Sequence, residues 1–159
     1  MSAVTIDEIS FPAEFARAAA IRRRVFVEEQ AISEALEFDD LDQGARHLLA
    51  TIDGEPAGTL RIRLLDDGRV AKIERVAVLE KWRRYRIGRA LMEAALELAI
   101  TQGAHEAKVH AQTVVQAFYA GLGFLPLGGE FEEDGIAHIA MKKPLVPEAT
   151  TAMRAKPGP

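Results

Sequence analysis

The sequence predicts an α/β fold: a mixed sheet, partly antiparallel and partly parallel, flanked by helices. Three observations lead there. Apolar alternation in the first half of the chain is broken by Asp-Gly pairs, the signature of hairpins. A helical apolar period then runs through Ile87, Leu91, Ala94, Ala95 and Leu98 and stops at Gly103, a residue suited to left-handed geometry. Beyond it, short apolar strands alternate with a helical stretch, the order that introduces parallel pairing.

Val4, Ile6 and less clearly Ile9 mark a short first strand. Pro12, with its pre-set dihedral, is expected in the first turn of a helix whose inner face carries Phe15, Ala18, Ala19 and Val25. Residues 28–42, EEQAISEALEFDDLD, lose the period and read as an acidic loop with a short helix around Ser33 to Glu37. His47 to Ile52 and Pro56 to Leu65 read as strands joined through Asp53-Gly54, with Asp66-Asp67-Gly68 as the next turn. From Val70 to Val78 the apolar positions switch from Ala71 and Ile73 to Val76 and Val78, which predicts a bulge near Glu74-Arg75. Ala107 to Ala111 gives a fifth strand and Val114 to Leu122 a short helix. Phe124 to Leu127 and Ile136 to Met141 complete the sheet, with an acidic turn expected over Glu130 to Gly135.

The 159 residues fit a single domain over 1–145, and the shift to scattered prolines after it predicts a frayed tail over 146–159. With no cysteine in the chain, thiolate metal sites, disulfides and a thiol nucleophile are excluded. No metal site is expected. No leader and no membrane-spanning run is read from the sequence, so a cytoplasmic location is the expectation. A net charge of -4 argues against general nucleic-acid binding. The oligomeric state is not legible, and a homodimer stays open.

Five cations, Lys81, Arg83, Arg84, Arg86 and Arg89, crowd the junction between the strand ending Val76, Ala77, Val78 and the helix starting near Ile87. A helix N-terminus is already positive, because its first amides are unpaired and its peptide dipoles align. Cations placed there disfavour the helix unless an anion sits among them, and Gly88 at such a turn is where phosphates are bound. A solvated charge run, partly neutralised by Glu80, is the plainer alternative.

The stretch RVAVLEKWRRYRIGRALMEAALELA resembles the GNAT superfamily of acyl-CoA-dependent N-acetyltransferases, whose cofactor motif reads Arg/Gln-x-x-Gly-x-Gly/Ala. Arg83 matches the first place and Gly88 the last, while Arg86 stands where the family has a glycine. HAQTVVQAFYAGLGF, from His110 to Phe124, is similar to a later family segment, with Gln112 at the place of a frequent asparagine. The resemblance covers about Val4 to Lys143. It implies a sheet splayed at the cofactor site and acetyl-CoA as cosubstrate. The implied contacts are Val76, Ala77 and Val78 on the strand, Arg83, Arg84, Tyr85, Arg86, Ile87, Gly88, Arg89 and Ala90 on the loop, and Gln112 and Phe118 in the later segment.

The reaction so implied is direct attack of an amine on the thioester, with no enzyme nucleophile. Tyr119 is then the candidate general acid and Glu74 the candidate base, with His110 and His138 as alternates and ordered water as a further route. Glu74 is alternatively a partner for Arg75 or Lys72. Glu28 and Glu29 are the candidate acceptor-binding residues; with Glu37, Asp39, Asp40, Glu132 and Glu133 they make a cationic small-molecule amine plausible on charge grounds. A non-catalytic acyl-CoA sensor with the same fold is the alternative, motivated by Arg86.

Overall fold

A computed structural model describes residues 3–145, so the tail expected over 146–159 lies outside the described residues. The strands are β1 (Val4–Ile9), β2 (Arg46–Ile52), β3 (Glu55–Leu65), β4 (Val70–Val78), β5 (Glu106–Gln112), β6 (Leu125–Glu133) and β7 (Ile136–Pro144). They pair in the order β1-β2-β3-β4-β5-β7-β6, a mixed sheet with one parallel pair. The helices are α1 (Phe15–Arg22), α2 (Glu34–Glu37), α3 (Ile87–Thr101) and α4 (Gln116–Gly121). The described residues form two compact units, 3–63 with 73–95 and 64–72 with 96–145.

In the first unit β1 runs antiparallel to β2, and β2 to β3. Asp53 (φ 51°) and Gly54 (φ 84°) both take positive φ, as a two-residue hairpin turn of the I′ kind requires. Leu48, Leu49 and Ala50 are buried in succession, so both faces of β2 are covered. Helix α1 starts at Phe15 rather than around Pro12, which lies in the turn before it; there Glu14 accepts from the Ser10 amide at 2.9 Å. Ala18 and Val25 are buried as expected, with Phe15 and Ala19 half-buried. The helix widens into a π-helix, Arg23–Glu29, which ends on Glu28 and Glu29. Ser33 caps α2 by accepting from the Leu36 amide at 3.3 Å.

Buried charge ties these elements together. Arg22 and Arg61 are each 1% exposed. Arg22 donates to Glu37 at 2.8 Å and to Asp42 at 2.7 Å. Arg61 donates to Glu74 at 2.7 Å, to Asp39 at 2.8 Å and to Asp42 at 2.9 Å. Arg75 adds contacts of 3.1 Å to both Glu37 and Asp39. Much of the acidic loop is therefore answered from within the chain, because carboxylates leaving water need cations to replace it. Burial pushes the Glu37 pKa up against the pull of Arg75 and Arg22.

The irregularity expected in β4 is a left-handed residue, Arg75 at φ 58°. Ala71, Ile73 and Ala77 are buried, whereas Val76 and Val78 are half-buried; the apolar switch does not carry the valines into the core. Gly58 on β3 sets the approach of α3. A Cβ there would lie 2.9 Å from the Ala77 carbonyl oxygen, 3.0 Å from Leu91 and 3.1 Å from Ile87. Only a residue without a side chain lets the first turns of α3 sit so close.

In the second unit, residues Val70–Lys72 pair in parallel with Glu106–Lys108, and β7 pairs antiparallel with both β5 and β6. β5 alternates cleanly, with Ala107, Val109 and Ala111 buried. The acidic turn expected over Glu130 to Gly135 is mostly strand. β6 continues through Glu133, and only Asp134 (φ 54°) and Gly135 (φ 77°) make the turn. The later helical segment opens with a 3₁₀ turn, Thr113–Val115, before α4, and α3 ends ahead of Gly103 at φ 88°.

Removing one member of a buried ion network strands its partners. Arg61→Ala is expected to lower the unfolding free energy by about 3–5 kcal/mol, read from urea denaturation followed by circular dichroism.

Candidate active site

In the first unit the cation-rich segment is a 3₁₀ turn, Glu80–Tyr85, followed by Arg86 at φ 59° and ψ 30° and then by α3. Leu79 donates to the Ala57 carbonyl at 2.9 Å, which pins the turn to β3. The Arg86 carbonyl accepts from the Ala90 amide at 3.1 Å and so opens the helix. The amides of Ile87, Gly88 and Arg89 then precede the first intrahelical bond and have no acceptor inside α3. Arg86 thus takes a left-handed conformation that a glycine would take without strain, and its side chain is exposed. A diphosphate needs such donors, cations around them and no Cβ at the point of closest approach, and Gly88 meets the last condition.

The five cations divide by partner. Lys81 pairs with Glu55 at 2.6 Å and lies 5.0 Å from the Trp82 ring centroid. Arg89 pairs with Glu93 at 3.3 Å, one turn along α3. Arg83 donates from Nε to the Val78 carbonyl at 2.8 Å and from Nη2 to Glu29 at 2.9 Å. The sequence reading had Arg83 on phosphate and Val78 open through its main chain; in the structure these two meet each other. Arg84 and Arg86 project as exposed side chains, and Tyr85 is half exposed with its ring edge-on to Trp82 at 5.3 Å. Glu28 pairs with Arg24 at 2.8 Å.

Glu74 accepts from Arg61 Nε at 2.7 Å, from Arg63 Nε at 2.9 Å and from Arg63 Nη2 at 3.0 Å. Sequence reasoning missed Arg61 and Arg63 as its partners. The signal was there: two arginines two apart in a strand otherwise apolar at Leu60, Ile62 and Leu64. A cation inside such a run needs a buried anion.

In the second unit Tyr119 sits on α4, buried against Phe118 at 5.0 Å and Phe124 at 5.9 Å between ring centroids. Burial pushes its phenol pKa up to about 12, so it stays protonated throughout the neutral range. Gln112 ends β5 and precedes the 3₁₀ turn. His110 shares a 3.0 Å contact with Glu133, and His138 donates from Nδ1 to the Ile136 carbonyl at 2.7 Å. Among the described residues, Trp82 Nε1 and Thr113 Oγ1 are buried without a hydrogen-bond partner. Each lies in one of the two motif segments, and buried donors of this kind call for an explanation such as a ligand.

A family model described as an acetyltransferase (GNAT) domain matches residues 12–145. The Bacillus subtilis (strain 168) protein YyaT is 38% identical over 143 residues, covering 88% of this chain and 95% of the relative. The crystal structure of Escherichia coli ElaA superposes with a TM-score of 0.79 at 28% identity, covering 89% of this chain and 99% of that one. A crystal structure of an acyl-CoA N-acyltransferase from Pseudomonas aeruginosa gives a TM-score of 0.73 at 30% identity over 89% of this chain and 99% of its own.

A non-glycine residue held left-handed is strained. Arg86→Gly is expected to raise the unfolding free energy by about 1 kcal/mol in urea titrations, with the loop geometry unchanged.

Proposed function

The chain belongs to the acetyltransferase (GNAT) family, and from that premise we propose that it moves an acetyl group from acetyl-CoA to a primary amine of a small molecule. The amine attacks the thioester directly while both substrates are bound. The observation that carries this reading is the left-handed Arg86 at the head of α3, beside the exposed Arg84 and Arg89, where the amides of Ile87, Gly88 and Arg89 have no acceptor inside the helix. That arrangement is suited to the diphosphate of coenzyme A, with Arg84 and Arg86 for the ribose phosphate. The donors on Trp82 and Thr113, buried without a partner, lie in the same two segments.

Arg86 takes a conformation open to glycine and keeps its side chain exposed, which counts against a loop spoiled by a side chain, the motive for a non-catalytic sensor. Val76, Ala77 and Val78 serve the pantetheine arm through their main chain in this proposal. Arg83 must leave the Val78 carbonyl for that to happen, and its pair with Glu29 is exposed enough to rearrange at a cost of about 0–1 kcal/mol. Glu29, once released, offers a carboxylate to a cationic acceptor, with Glu28 beside it. Among the described residues no helix is long and apolar enough to cross a membrane, and no cluster of His, Asp and Glu is arranged to hold a metal ion. The proposed reaction calls for neither.

Tyr119, a phenol at neutral pH, is the proposed acid that protonates the departing thiolate. Thiol release from acetyl-CoA, screened across a panel of amines with mass detection of the product, tests the proposal. Transfer to at least one amine is expected, and cofactor binding without transfer to any of them would favour the sensor. Tyr119→Phe should lower turnover by roughly 10²-fold and leave acetyl-CoA affinity unchanged by calorimetry. That affinity should fall steeply as salt rises, because the phosphate contacts are ionic.

A further inference from the structure

Two histidines lie on one face of the three strands β5, β7 and β6, and their surroundings separate them. Gln112 stands opposite His138, His138 opposite Phe131, and His110 opposite Ala140. Paired residues share a face, as do residues two apart, so His110, Gln112, His138, Phe131 and Glu133 all belong to it. His138 is buried, stacked on Phe131 at 6.0 Å, with Nδ1 spent on its own strand's Ile136 carbonyl. It is a support. His110 remains half exposed. Phe131 meets its ring edge-on at 5.1 Å, and Glu133 reaches it from β6 at 3.0 Å, so two contacts fix the plane of the imidazole.

The chemistry of that pair assigns the proton. A carboxylate can only accept, so Nδ1 of His110 donates to Glu133. In the neutral ring Nε2 then carries the lone pair. Gln112, the residue on β5 implied at the cofactor, is one repeat away, roughly 7 Å along the strand. On the acyltransferase reading above, we infer that His110, oriented by Glu133, is the base that takes the proton from the acceptor amine.

The step balances without a further reagent. The amine nitrogen bonds to the thioester carbonyl carbon, the carbon–sulfur bond breaks, the N–H proton passes to His110 Nε2, and the thiolate takes the Tyr119 proton. Solvent then carries one proton from the imidazolium to the phenolate, and both groups return to their starting state. Glu74 is less suited to this work. Its carboxylate is bound by Arg61 and Arg63, so a proton arriving there weakens charge-assisted bonds already made. At His110 the arriving proton meets an imidazole whose far nitrogen already points at an anion.

Burial holds the His110 imidazole below its ordinary value, against the Glu133 hydrogen bond, which raises it; Lys72 and Lys108 lower it further. Glu106, Lys108 and Lys142 share that face with Glu133 and the two histidines, and His138 keeps its Nδ1 turned to a carbonyl. The neutral, accepting form therefore persists to pH values below 6.5.

The test uses the full chain with acetyl-CoA and whichever of benzylamine, cadaverine or spermidine is acetylated fastest. It combines the pH profile of kcat/KM between about pH 5 and 9, calorimetric acetyl-CoA affinity, and an NMR titration of the histidine side chains. Wild type should show an acid limb below the ordinary histidine value, matching the His110 resonance. His110→Gln should cost about 10²-fold or more in kcat and erase the limb, with acetyl-CoA affinity unchanged. Glu133 is a positioning residue, on an exposed strand end. Glu133→Gln should keep the fold and part of the activity while moving both limb and resonance to lower pH. Full turnover with an unmoved limb in either variant overturns the assignment of His110. Failure of wild type to bind acetyl-CoA would instead sink the acyltransferase reading, and the base with it.

Discussion

Arg86 sits at φ 59° and ψ 30°, and this one left-handed residue sets where the first amides of α3 point. Strain of about 1–2 kcal/mol is tolerated there because packing on either side over-determines the turn. Ile87, Leu91 and Met92 are fully buried directly after it, each contributing about 1.5–3 kcal/mol of apolar burial. Gly58 supplies the matching constraint from beneath. Its missing Cβ lets α3 and the Ala77 carbonyl close on the same point of β3. The strand proposed for the pantetheine arm and the turn proposed for the diphosphate are thus seated by one close approach, independent of any ligand.

Burial sorts the arginines of the first unit into two kinds. Arg22 and Arg61 are within a buried network whose disruption costs about 3–5 kcal/mol, so they are not available to an incoming anion. Arg83 and Arg89 hold exposed carboxylates, in pairs worth about 0–1 kcal/mol, which a phosphate can displace. Arg83 is the more consequential of the two. Through the Val78 carbonyl and Glu29 it joins a main-chain group proposed for the donor to a carboxylate proposed for the acceptor. On that proposal both reactants would compete with the same guanidinium, and a bound donor would loosen the side chain held by the acceptor's carboxylate.

The parts of the fold that the sequence disclosed are those fixed by local rules. Asp53-Gly54 takes the positive φ that the pair favours, β5 alternates as its pattern Ala107, Val109, Ala111 demands, and the period of α3 ends ahead of Gly103. What escaped depends on distant partners. β6 runs through Glu130, Glu132 and Glu133 because β7 pairs with it, and an exposed edge strand needs no apolar alternation to announce itself. The start of α1 at Phe15 follows from a turn closed by Glu14 on Ser10, which Pro12 only begins. In the proposed site, the turn between β4 and α3 was legible because glycine and cations mark it in a row. The grip of Arg61 and Arg63 on Glu74, and of Glu133 on His110, joins residues 11 to 23 positions apart, and spacing along the chain says nothing of that.

Burial acts in opposite directions on the two groups proposed to move protons. It pushes the Tyr119 phenol up to about 12 and holds the His110 imidazole down, because a low-dielectric surrounding disfavours phenolate and imidazolium alike. Neutral is the working form of both, a phenol with a proton to give and an imidazole with a lone pair to receive one; Tyr119 is neutral in either case, whereas for His110 burial extends the range of the neutral form. A carboxylate such as Glu74 gains nothing comparable, since its neighbours Arg61 and Arg63 stabilise the charge that a base must surrender on protonation. Glu133 supplies what burial alone would withhold. By hydrogen-bonding the far nitrogen it favours the imidazolium that forms during transfer, so His110 rests neutral and is still able to take a proton.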